Sequence, residues 1–167
     1  MDVGSIEFWE MFGAALLSGG FIGLERQIRG KPAGIRTSIL ICLGTALFIS
    51  LGRSLLGDFA DPTRVLGQVV TGIGFLGAGV IITRGNIIVG VTSAAVIWVL
   101  AGIGAMIGFE YYSEAIVMAV LTVGVLVGIG VAEGKYRMFR RGIYASEVDA
   151  AEKDCTGTEE IEKQPCS

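Results

Sequence analysis

Histidine is missing altogether, and cysteine and proline occur only three times each in 167 residues. Without histidine, neither Ser-His nor Cys-His catalysis nor a His-ligated metal can be assembled from this chain. Cys42, Cys155 and Cys166 show no metal-ligand spacing and no disulfide framework. Cys42 falls inside an apolar run and reads as a small packing residue. An intramembrane protease would need paired aspartates, a Ser-His pair or a zinc motif, and the sequence offers none. No enzyme activity, cofactor or bound metal is therefore expected, and no nucleic-acid partner. Charge is scarce in a more informative way. Five stretches, 11–24, 37–52, 65–83, 85–109 and 115–132, contain no charged residue.

What fills those stretches is apolar. The chain is 52% apolar and 17% charged, a balance no ordinary soluble domain has. A helix crossing the hydrocarbon layer takes ~20 mostly apolar residues, at ~1.5 Å of rise each. The fourth stretch exceeds that length and the third and fifth approach it. The first two borrow from their flanks, which is cheap because long side chains return their charge to the interface. The sequence thus predicts an all-α polytopic membrane protein with five transmembrane helices, over 6–24, 37–56, 65–83, 86–108 and 114–132. The first ten residues are acidic and lack the basic start of a cleaved signal peptide, so the first run is expected to stay as a helix.

Lysine and arginine near membrane ends favour the cytoplasmic side. The first loop carries Arg26, Arg29, Lys31 and Arg36; the third carries Arg84; the segment after the fifth run carries Lys135, Arg137, Arg140 and Arg141. The second loop has only Arg53 and Arg64, offset by Asp58 and Asp61. Alternate assignment puts nine basic residues inside and two outside, which predicts an external amino terminus and a cytoplasmic carboxy terminus. The short turn at 84–86 admits a four-span version with one re-entrant run, but it would put the acidic start and the basic end on one side. The membrane domain is expected over 6–136. Residues 137–167, a basic-aromatic stretch and then an acidic segment, read as a disordered cytoplasmic tail.

Helices in lipid associate where small residues let backbones approach. Gly19 and Gly23, Gly104 and Gly108, and Gly124 and Gly128 are each four apart. The third run adds Gly72, Gly74, Gly77 and Gly79, which predicts that it is the central, most enclosed helix. There, Leu in place of Gly74 or Gly77 is expected to be costly and bulk at Ala115 mild. The spacing Gly72-x-Gly74-x-x-Gly77 also matches a dinucleotide fingerprint. Here, though, it sits inside an apolar span without the preceding strand that the motif requires.

Polar residues gather at helix ends. Glu25 and Arg29, four apart, can pair along one helix face. Pro32 and Gly34 predict a bend that brings Arg36 to the start of helix two, where Thr37 and Ser38 can cap free amides. Glu25, Arg26, Arg36, Thr37, Arg64, Gln68, Arg84 and Thr92 form the candidate ion cluster and polar motif, with Arg64 and Gln68 at the opposite membrane face. The same basic loop could equally be a solvated topology signal.

Four segments carry a family resemblance: GGFIGLERQ (19–27), KPAGIRTSILICLGTALF (31–48), DPTRVLGQVVTGIGFLGAGVI (61–81) and GVTSAAVIWVLAGIG (90–104). In order and spacing they resemble the MgtC/SapB family of bacterial inner-membrane proteins, over roughly residues 10 to 130. The resemblance implies a multi-helix inner-membrane domain tied to magnesium limitation, acid stress or intracellular growth. It also implies a regulator that binds other inner-membrane machinery, ATP synthase or a magnesium transporter among the candidates, and a homo-oligomer in the lipid bilayer. Ser38 stands where many members have histidine. Many members continue into an ACT-like soluble domain with no counterpart in these residues. The competing expectation is a transporter of magnesium or another cation. Magnesium favours carboxylates, and no charge-free run offers one.

Overall fold

The computed structural model of the protein describes residues 4–56, 62–84 and 87–135, the side chains of 55, 56, 62, 84 and 133–135 excepted. Five helices and one hairpin follow in order: α1 (Ile6–Ile28), α2 (Ile35–Leu56), α3 (Pro62–Ala78), β1 (Ile82–Arg84), β2 (Ile87–Val89), α4 (Val91–Gly108) and α5 (Tyr112–Lys135). The tail expected over 137–167 lies outside the described residues.

Ser5 starts α1 by accepting a hydrogen bond from the Phe8 amide at 3.4 Å, the usual way a hydroxyl satisfies an orphan donor at a helix start. The helix runs four residues past the expected boundary, and Glu25 pairs with Arg26 and Arg29 around its last turn. The chain then turns through Gly30 and Ala33, both with φ of 62°. Ala33 has no glycine's freedom there; its carbonyl accepts a 2.9 Å bond from the Ser38 hydroxyl, which holds the turn. Ser38 is thus turned backward onto the loop, not forward onto the amides of its own helix.

Two glycine pairs set the bundle. A side-chain carbon on Gly19 would come within 2.8 Å of the Ile39 Cα, and one on Gly23 within 2.6 Å of the Ile35 Cα, so α1 and α2 touch backbone to backbone. One on Gly104 would lie 2.5 Å from the Cys42 carbonyl, and one on Gly108 2.6 Å from the Ile49 side chain. The second helix is therefore clasped between α1 and α4. The fifth packs over α1 and α4, and the third over α2 and α4. Small and medium residues fill the interior, among them Ala14, Ala15, Ile22, Cys42, Ala46, Leu100, Ala101 and Ile107. Large apolar side chains such as Leu17, Phe21, Leu40, Phe48, Phe75, Trp98 and Leu121 point outward. That inversion of ordinary burial suits lipid as solvent.

Two expectations are corrected. The third helix is not the enclosed one: added carbons on Gly67, Gly72 and Gly74 would meet nothing within 4 Å, and Phe75 is 82% exposed. Gly77 makes only ordinary contact with Ala94, and Gly79 faces its own helix's carbonyls. The most enclosed helix is α4, which packs against all four others, while α2 makes the closest backbone approaches, with glycines facing it from both sides. Ala115, expected to tolerate bulk, is completely buried.

The third and fourth apolar runs also do not stay helical to their ends. The third helix stops at Ala78, and β1 pairs antiparallel with β2 in the register Ile82 with Val89, Thr83 with Ile88 and Arg84 with Ile87. The β-branched residues on both sides favour extended backbone, and the two-residue Gly-Asn spacing between the pairs suits a hairpin. Gly90 then opens α4 with φ of 95°. A side chain there would run into the Val80 carbonyl, so both dihedral and space demand glycine.

Three helices among the described residues are long and apolar enough to cross a membrane: Ile35–Ser54, Val91–Gly108 and Tyr112–Ala132. The first helix is long enough, with 23 residues, but carries Glu7, Glu10, Glu25 and Arg26 toward its ends. The third has 17 residues, or ~25 Å against a hydrocarbon core of ~30 Å.

Gly23→Leu and Gly104→Leu should lower thermal stability in detergent sharply, beyond the roughly 1–3 kcal/mol usual for overpacking, because backbone must move. Gly74→Leu should change it by less than about 0.5 kcal/mol in the isolated chain. Equal losses at Gly23 and Gly74 would contradict the clasp.

Candidate functional site

At one end of the bundle the last turn of α1 meets the first turn of α4. Glu25 is 8% exposed and Arg26 3%. The Glu25 carboxylate lies 2.7 Å from Arg29 Nε, across one helical turn, and 3.7 Å from Arg26 Nη1. Arg26 reaches across the bundle and donates from Nη2 to the Ser93 hydroxyl at 3.2 Å. These contacts are ion pairs by distance, yet neither Glu25 oxygen is aligned with an N–H, and Arg26 Nε also has no hydrogen-bond partner. Burial without full hydrogen bonding makes each of these charges depend on its neighbours.

Behind this triad opens a cleft of about 720 Å³, bounded by the end of α1, the hairpin, the start of α4 and the second half of α5. Arg26, Arg29, Lys31, Thr92 and Ser93 line it. Two arginines share one carboxylate, and Lys31 adds a further positive charge, so the cleft is electropositive.

The expected polar residues divide. Glu25 and Arg26 form the buried pair, and Thr92 lines the same cleft while itself exposed. Arg36 is exposed, does not line the cleft and takes no part in the ion pairs among the described residues. Thr37 is exposed too and faces, with Gln68, an apolar groove of about 620 Å³ between α2 and α3. Arg64 is exposed at the start of α3. The side chain of Arg84 lies outside the described residues. Arg29 and Ser93 belong to the site but not to the expected set. The four-residue spacing from Glu25 signalled Arg29; nothing in sequence linked Ser93 to a residue 67 positions away.

The other end is built differently. Arg53 at the end of α2 donates to the Gly108 carbonyl at 3.1 Å and pairs with Glu110 at 2.8 Å, a positive charge closing the carbonyl end of α4. Tyr112 donates from its hydroxyl to the Glu7 carbonyl at 3.5 Å, which ties the starts of α1 and α5 together. One end of the bundle is thus basic; the other collects Glu7, Glu110 and Glu114.

With that geometry in hand, comparison with known proteins is direct. The sequence model of the MgtC family matches residues 12–134. Over 119 residues, 67% of this chain and 55% of the relative, the chain is 47% identical to "Putative magnesium transporter YhiD" of Escherichia coli strain K12. It is 40% identical over 132 residues to Protein MgtC of Brucella abortus strain 2308, covering 78% of this chain and 55% of that one. To Protein MgtC of Salmonella typhimurium strain 14028s it is 42% identical over 108 residues, 65% of this chain and 46% of that one. The chain spans about half the length of the curated relatives it matches. No solved structure matches it.

Glu25→Ala should destabilise the protein by about 3–5 kcal/mol, since it leaves Arg26 buried without its counter-charge. Arg36→Ala should stay within about 0.5 kcal/mol, as an exposed substitution does. Thermal unfolding in detergent measures both. Similar losses from the two would mean that the triad contributes no more than a solvated loop.

Proposed function

Because the chain belongs to the MgtC family, we propose that it is a small integral membrane protein of magnesium homeostasis that acts by binding other inner-membrane machinery, not by moving ions. The observation that carries this reading is the sign of the buried site. Its one carboxylate among the described side chains, Glu25, is held between two arginines, and Lys31 stands beside them. A divalent cation is repelled by such an array, whereas a magnesium path calls for carboxylate and water oxygens. The remaining buried polar groups, Ser18, Ser38, Thr45 and Ser93, are hydroxyls, able to bridge helices but not to carry charge.

The location proposed is the bacterial inner membrane, with five spans, an external amino terminus and a cytoplasmic basic end. Three apolar helices and the gathering of Arg26, Arg29 and Lys31 at one end support it. Glycines unused inside the chain support an assembly, either homo-oligomeric or with a larger complex such as ATP synthase or a magnesium transporter. Gly72 lines the open α2–α3 groove and Gly74 meets nothing nearby, so α3 has room to receive another helix. The name of the YhiD relative points to transport, which stands as the alternative.

Purified protein in liposomes loaded with a magnesium-sensitive dye should admit no more magnesium than empty vesicles, while photo-crosslinking from position 75 in native membranes should capture a neighbouring complex. Saturable uptake by the purified chain alone, abolished by a cleft substitution, would replace the binding role with transport.

A further inference from the structure

We propose that the basic cleft is a binding site for the phosphate of an anionic phospholipid. Four independent features converge on it. Arg26 lines the cleft although it is only 3% exposed. Among the described side chains, Glu25 alone offsets Arg26, Arg29 and Lys31, which leaves surplus positive charge. The cleft also meets the start of α4, an 18-residue helix whose first turn has no side-chain cap, so orphan amides and the positive end of the helix dipole open toward it. The Ser93 hydroxyl, having accepted from Arg26, still has its own proton to donate.

A bare phosphate accounts for only part of this. The rest of the cleft wall is apolar, formed by Ile82 and Ile88 of the hairpin and Val125 and Ile129 of α5. Val125 is 57% exposed and Ile129 55%, so the wall continues onto the outer surface of the bundle, where acyl chains would lie. A ligand that is anionic at one end and greasy along its length matches both halves. Basic pockets between helices at a membrane interface recognise lipid headgroups in this way. Gly130 also fits the arrangement, because a side-chain carbon there would come within 2.5 Å of Arg29 Nη1 and displace that guanidinium. The inference does not depend on whether the protein acts by binding partners or by transport.

The full chain in mild detergent, titrated with phosphatidylglycerol or phosphatidylcholine of identical acyl chains, tests it by native mass spectrometry. Phosphatidylglycerol should bind more tightly than phosphatidylcholine. Lys31→Gln and Arg29→Gln should each weaken it by roughly fivefold, the share of one basic residue at a membrane surface. Arg36→Gln, whose side chain lies outside the cleft, should leave it unchanged. Arg26→Gln is the harsher variant, and if it fails to fold the other two still decide. Equal binding of the two lipids would overturn the proposal, as would indifference to Lys31→Gln and Arg29→Gln. Displacement of phosphatidylglycerol by millimolar inorganic phosphate would reassign the cleft to a free anion and overturn the lipid.

Discussion

Everything in this bundle depends on backbone approach. In lipid, apolar side chains gain nothing by leaving one apolar surrounding for another, so helices must find one another through close packing and through polar contacts. Gly19 and Gly23 on α1 and Gly104 and Gly108 on α4 provide the first by pressing α2 from both sides. Once α1 and α4 are fixed against the same helix, their ends are fixed too. The last turn of α1 is then held beside the first turn of α4, which lets Arg26 reach Ser93. The buried charge site is a consequence of glycine spacing elsewhere.

The two ends then differ in character. At one, Arg53 closes the carbonyl end of α4 through the Gly108 carbonyl and Glu110, a pairing of opposite charges at an exposed surface. At the other, three basic groups outnumber one acid among the described side chains, and the amide end of α4 adds further positive potential. A surplus of this kind costs free energy unless something negative compensates it. Stability of the empty site and affinity for an anion are therefore opposed, and the protein retains the site nonetheless.

Much of this could be read in the chain, and the failures are instructive. Charge-free runs located all five helices, and the four-residue spacing of Gly19 with Gly23 and of Gly104 with Gly108 marked real interfaces. Glycine density alone misled at α3, where Gly72 and Gly74 are open, because density reports that a close approach is possible and not which helix makes it. The hairpin lies where the apolar runs on either side of Arg84 predict helix, because apolar length alone does not separate β-branched strand from helix. Arg36 looked equivalent to Arg26 by charge, but Arg26 sits in the last turn of α1 against Ser93 of α4, while Arg36 is exposed on α2. Ser93 lay within a family-like segment, but its pairing with Arg26 was not legible, since long-range contacts between a lone hydroxyl and an arginine leave no local pattern.

The proposed topology puts the basic end of the bundle on the cytoplasmic side, with the helices alternating across the membrane. Single cysteines introduced at Lys31 and Tyr111, in a background lacking Cys42, Cys155 and Cys166, test it by labelling intact cells with a membrane-impermeant maleimide. Labelling at 111 and none at 31 until the cells are broken is the predicted result. Labelling at 31 in intact cells would contradict the orientation, and with it the proposed cytoplasmic placement of the basic end.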